Sequence, residues 1–174
     1  DENGKVVPRG KLGELCVRGY SVMLGYWEDH DKTHEVIDVA KWMHTGDIAE
    51  MDDEGFVKIK GRIKDVVIRG GENLFPKEIE DFLYTHPDVS DVQVIGLPDA
   101  RYGEELCACI ILHDHHQANE EDIRKYCAEH ISHNKVPRYV RFFTEFPMTA
   151  SGKAQKFKLQ EFMRQELNLI EDIA

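Results

Sequence analysis

The strongest constraint on this chain is a change of pattern at Arg62. Before it, apolar and polar residues alternate in short runs broken by glycine, as in Gly13-Glu14-Leu15-Cys16-Val17-Arg18-Gly19 and Val22-Met23-Leu24-Gly25. A period of two places alternate side chains on opposite faces, so these runs predict short strands. Strand signals resume from Trp42 to Met51, turn at Asp52-Asp53-Glu54-Gly55, and return through Phe56 to Lys60. A stretch near Lys32 to Ile37 has helical character, but the first sixty residues read as essentially all β, too few to close a core alone.

Beyond Arg62 strands alternate with helices. Val66-Val67-Ile68 reads as a strand. Pro76 suits the first turn of a helix, where its missing N–H leaves no bond unmade, and Ile79, Phe82 and Leu83 form an apolar stripe ending before Pro87. Val89 to Ile95 and Glu105 to Leu112 alternate as strands. Asn119 can cap a helix whose Ile123, Tyr126, Cys127 and His130 share a face. A strand from Tyr139 to Phe143 and a last helix carrying Leu159, Phe162, Met163 and Leu167 complete an α+β domain of mixed sheet with about three helices. The expected division is residues 1–61 and 62–174, with a hinge near 62–65.

Composition narrows the class. With 41% apolar and 32% charged residues in 174, the chain has enough apolar sequence for a core. A net charge of -11 disfavours nucleic acid as the main partner. No apolar run reaches the roughly 20 residues that span a bilayer, so no transmembrane segment is expected. Cys16, Cys107, Cys109 and Cys127 match no zinc or redox spacing and are expected to be free thiols, which favours a reducing compartment. His113, His115 and His116 fall in a loop without ligand spacing, so no metal site is predicted. The opening string Asp1-Glu2-Asn3-Gly4-Lys5 reads like the interior of a larger protein.

Three segments carry more information together than apart: Trp42-Met43-His44-Thr45-Gly46-Asp47, Gly61-Arg62-Ile63-Lys64-Asp65, and Pro147-Met148-Thr149-Ala150-Ser151-Gly152-Lys153. In this order they resemble the C-terminal motifs of the adenylate-forming enzymes, which comprise acyl-CoA synthetases, peptide-synthetase adenylation domains and luciferases. The resemblance spans almost the whole chain. It implies that residues 1–61 are the β-rich end of a large adenylation domain and 62–174 a C-terminal lid. The phosphate loop and acyl pocket would lie in a missing N-terminal domain, so the chain alone is expected to be inactive.

The resemblance also assigns roles. Asp47 would hold the ribose of ATP, since two carboxylate oxygens suit two vicinal hydroxyls. Arg62 would reach ribose and phosphate oxygens with its five donors, with apolar Ile59 nearby. Lys64 falls at the hinge. Lys153 would place a cation where the substrate carboxylate meets the α-phosphate. It is no Walker lysine, because Ala154 follows it where serine or threonine should stand. Gly70, Gly71 and Glu72 begin a Gly-Gly-Glu-Asn string that resembles the fatty acyl-CoA synthetase branch and would line the path of coenzyme A. Mg2+ would bridge ATP phosphates rather than be caged by these residues. Lys156 departs from the arginine frequent three residues past the lysine, which puts the anchoring of that loop in question.

The implied reaction is a two-step ligation of a carboxylic acid, by resemblance a medium-chain fatty acid, through acyl-AMP to acyl-CoA. An adenylation domain loading a carrier protein, or a non-catalytic module with the lid fold, are the alternatives. Relatives of this kind are cytoplasmic in bacteria and lie in the mitochondrial matrix in animals.

Overall fold

In the computed structural model, which describes residues 1–169, packing divides the chain into two units, one spanning Asp1–Lys64 and the other running from Asp65 onward. The first contains strands β1 (Leu12–Val17), β2 (Met43–Met51) and β3 (Val57–Arg62) in an antiparallel sheet of order β1-β2-β3, with the short helix α1 (His30–Val36) between β1 and β2. Asp29 caps α1 by accepting from the Lys32 N–H at 2.9 Å. The expected strand at Val22–Leu24 does not form, whereas α1 falls where the stretch near Lys32 to Ile37 has helical character. Only Ile37 and Ala49 are buried apolar side chains among the described residues of this unit, while Tyr20, Leu24, Trp27 and Val39 are almost fully exposed. Such a sheet is thinly covered by its own residues.

The second unit is a mixed five-stranded sheet. Strands β4 (Val67–Arg69), β5 (Glu72–Leu74), β6 (Val89–Asp99) and β7 (Gly103–Leu112) pair antiparallel in the order β5-β4-β7-β6, and β8 (Tyr139–Phe142) runs parallel to β7. Alternation along β7 sorts the core by face. Leu106, Ala108 and Ile110 pack with Ile79 and Leu83 of α2 (Pro76–Leu83) and with Ile123 and Cys127 of α3 (Glu120–His130). Cys107 and Cys109 face the other way, onto Leu159 and Met163 of α4 (Lys156–Glu166) and onto Phe146. Two helices thus cover one face and the third covers the other. Asn119 closes a capping box with Asp122 at the start of α3, satisfying helix N–H groups reciprocally. All four cysteines are free thiols.

Candidate active-site segments

The Thr-Gly-Asp segment is shaped by an irregularity in β2. Glu14 pairs with Ile48 but Cys16 pairs with His44, so residues 45–47 bulge opposite Leu15. Gly46 takes a φ of +73°, a conformation that costs L-residues energy and that glycine adopts freely. Thr45 fixes the bulge from both sides: its hydroxyl donates to the Leu15 carbonyl at 2.7 Å and accepts from the Asp47 N–H at 3.1 Å. The Glu14 carboxylate adds two more ties, accepting from the Gly46 N–H at 3.2 Å and from His44 Nδ1 at 2.6 Å.

From this bulge Asp47 faces Arg62, its register partner on β3. Arg62 Nε donates to Asp47 Oδ1 at 3.1 Å, with the arginine half exposed. That bond occupies one nitrogen and one carboxylate oxygen, leaving further donors and acceptors for a ligand carrying both hydroxyl and anionic groups. Ile59 is partly exposed on the same strand. Lys64 is exposed on the 3-10 turn Ile63–Asp65, directly before the division between the two units.

In the second unit, Lys153 ends a tight turn. The Gly152 N–H bonds to the Thr149 carbonyl at 2.9 Å, the Thr149 N–H to the Lys153 carbonyl at 2.8 Å, and the Lys153 N–H to Thr149 Oγ1 at 3.0 Å. Gly152 supplies the positive φ of +77° that the turn requires. The Met148–Ala154 bridge closes it, and buried Phe146 ties its approach to the core. The Lys153 backbone is held at both its N–H and C=O while its side chain is exposed and makes no ion pair among the described residues. A cation on a fixed stem with a free head can meet an incoming anion.

Lys156, a departure from the expected arginine, turns out to be firmly held. Its Nζ lies 2.6 Å from Glu80 Oε1 on α2 and 3.1 Å from the Val94 carbonyl on β6, pinning the first residue of α4.

Gly70 and Gly71 form a two-residue hairpin turn between β4 and β5, with φ of +59° and +86°. No atom would lie within 4 Å of a Cβ at Gly71, whereas one at Gly70 would meet the Tyr102 ring at 3.3 Å. Arg69 stacks over Tyr102 at 4.3 Å and pairs with buried Glu105 at 2.8 Å, fixing the hairpin base. Glu72 accepts from Asn134 Nδ2 at 2.6 Å.

The structure thus brings Asp47 and Arg62 together and sets Lys153 and the glycine hairpin on the second unit. Sequence reasoning missed Glu14 and Thr45. A glutamate in an alternating strand reads as a solvent-facing residue, and only the shifted register of β1 and β2 turns it toward Gly46.

A three-stranded sheet with a Thr-Gly-Asp bulge, followed by a mixed-sheet unit carrying Ser-Gly-Lys on a turn, defines a class. Residues 78–153 match the model of the AMP-binding enzyme C-terminal domain, so the chain carries a domain of that family. It is 55% identical over 168 residues to the mitochondrial medium-chain acyl-CoA ligase ACSF2 of Bos taurus, an alignment covering 97% of this chain and 27% of that protein. It is 52% identical over 163 residues to the putative acyl-CoA synthetase YngI of Bacillus subtilis, covering 94% and 30% respectively. The crystal structure of ATP-bound MatB from Rhodopseudomonas palustris superposes with a TM-score of 0.87 at 34% identity, covering 95% of this chain and 33% of that one. The chain therefore spans between a quarter and a third of the length of these relatives. No helix among the described residues is long and apolar enough to cross a membrane.

Proposed function

We propose that the chain serves as the C-terminal part of an AMP-forming acid–thiol ligase, a fatty acyl-CoA synthetase that makes acyl-AMP and pyrophosphate and then acyl-CoA and AMP. The carrying observation is the Asp47–Arg62 pair, presented from a bulge that Glu14, Thr45 and Gly46 hold open. On this reading Asp47 accepts from the two ribose hydroxyls of ATP, and Arg62 donates to ribose and phosphate oxygens through nitrogens not bound to Asp47. Ile59 would lie by the nucleotide. A larger N-terminal portion would cover the exposed apolar side chains of the first unit and supply the acyl pocket and most contacts to phosphate and Mg2+.

Residues from about 62 onward would form the lid, pivoting at Lys64; the division of packing beside that residue supports a hinge there. In the adenylation step Lys153 would neutralise the charge that gathers between the substrate carboxylate and the α-phosphate as pyrophosphate departs. After the pivot, the Gly70-Gly71 hairpin and Glu72 would border the pantetheine arm of coenzyme A, where missing side chains leave room. The medium-chain preference rests on identity to the bovine ligase. The compartment would follow the source: mitochondrial in an animal, cytoplasmic in a bacterium.

ATP–pyrophosphate exchange on the full-length protein tests the reading, with octanoate set against amino acids. Exchange with octanoate that is greatly reduced by Asp47→Ala supports a fatty acid ligase with Asp47 at the nucleotide. Exchange driven only by amino acids would instead favour a carrier-loading adenylation domain.

A further inference from the structure

The first unit holds a cluster of possible metal ligands to which the ligase reading gives no role beyond the support that Glu14 lends the bulge at Gly46. Glu14 and Cys16 on β1 and His44 on β2 offer a carboxylate, a thiol and an imidazole whose ligand atoms all lie within 4.8 Å of one another. It is the one such cluster of three potential ligands found among the described residues. Cys16 and His44 are cross-strand register partners, and the bulge between the Glu14 and Cys16 pairings swings the Glu14 carboxylate onto the same imidazole. Neither strand alone has metal-ligand spacing; the register creates it.

We propose that Glu14 Oε2, Cys16 Sγ and His44 Nδ1 form a three-ligand site for Zn2+ or a similar borderline-soft divalent cation, with a fourth position open to solvent. Tetrahedral N, O and S ligands at Zn2+ bond lengths stand roughly 3.3 to 3.7 Å apart. The Cys16 Sγ to His44 Nδ1 distance is already 3.6 Å. Glu14 Oε2 lies 2.6 Å from Nδ1, a hydrogen-bond length, and must open by somewhat under 1 Å when the metal takes the place of the shared proton.

The surroundings favour that exchange. The other carboxylate oxygen, Glu14 Oε1, accepts from the Gly46 N–H, which orients Oε2 toward the cluster. The far nitrogen of the ring, His44 Nε2, lies 4.0 Å from Asp38 Oδ2. A modest approach would complete the carboxylate–histidine–metal arrangement that fixes a ligand's tautomer, the ring proton residing on Nε2. All three ligands are half-buried, so a cation can enter from solvent. On binding, the cation displaces the Cys16 thiol proton to solvent and the thiolate completes the ligand set. Cys107, Cys109 and Cys127 are buried in the second unit and cannot substitute. The histidine-rich loop at residues 113–116 offers no thiolate.

Cobalt absorbance on the untagged chain tests the site. Titration with Co2+ alone should develop, at one equivalent, a thiolate-to-cobalt charge-transfer band in the near ultraviolet with the visible bands of tetrahedral cobalt. Zn2+ should bleach both. Cys16→Ser should abolish the charge-transfer band, and Glu14→Gln should weaken Co2+ affinity at least tenfold while keeping the band, because the thiolate remains. Saturating Zn2+ should also raise the thermal midpoint of the wild-type chain and leave that of Cys16→Ser unmoved. Absence of the charge-transfer band from the wild-type chain, or its survival in Cys16→Ser, would overturn the proposal.

Discussion

Replacing Lys156 by methionine gives a prediction whose sign alone discriminates. Lys156 is the first residue of α4, where the partial positive charge of the helix end disfavours a cation by about 0.3–1 kcal/mol. Were its ammonium merely solvated, methionine would be neutral or slightly stabilising. The structure instead places it 2.6 Å from Glu80 and 3.1 Å from the Val94 carbonyl, with the two side chains of the pair only 21% and 14% exposed. Exposed pairs contribute about 0–1 kcal/mol, whereas breaking a fully buried one costs about 3–5 kcal/mol. This pair lies between, and its loss strands the Glu80 charge with the Val94 N–H, 2.8 Å away, as its remaining donor. The expected cost is about 2 kcal/mol, or a fall in thermal midpoint of about 4–8 °C. Methionine keeps most of the side-chain volume, so the loss reports the charge. A double-mutant cycle with Glu80→Gln, followed by urea denaturation, should return a coupling of about 1–2 kcal/mol. A Lys156→Met variant as stable as wild type, or more stable, would refute the argument.

Four further outcomes are expected. Gly46→Ala meets no side-chain obstacle but must hold a φ of +73°, so urea denaturation should show a loss of about 1–2 kcal/mol. Burial raises the Cys127 thiol from 9.0 to about 11, so the unfolded chain gives up that proton first and stability should fall as pH rises between those values. Urea midpoints measured across that window should decline less steeply in a Cys127→Ala variant. Glu105→Gln weakens the buried pair with Arg69 and should lower the thermal midpoint, because it loosens the base of the glycine hairpin. The isolated chain should support no ATP–pyrophosphate exchange; measurable exchange would mean that it carries an acyl pocket of its own.

Much of the second unit was legible in the sequence because its signals are local. Pro76 at the start of α2, Asn119 capping α3 and alternation along β7 each act within a few residues. Strand β5 was missed because Glu72-Asn73-Leu74 is too short to show a period, and only its pairing with β4 makes it a strand. The expected strand near Val22 carries apolar residues without a partner to pair with, and they stay outside regular structure. Asp47, Arg62 and Lys153 could be named from motif strings, but their supports could not. Glu14 reaches Gly46, and Lys156 reaches Glu80, across 32 and 76 residues of sequence, so both contacts belong to tertiary structure alone.

The most direct test of the central claim separates the two half-reactions in the full-length protein carrying Lys153→Ala. With octanoate, ATP–pyrophosphate exchange should fall by several orders of magnitude, while thioester formation from preformed octanoyl-AMP and coenzyme A survives. Exposed Lys153 makes no ion pair among the described residues, so the thermal midpoint should not move. Exchange at the wild-type rate would contradict the account, because it would remove the lysine turn from the chemistry.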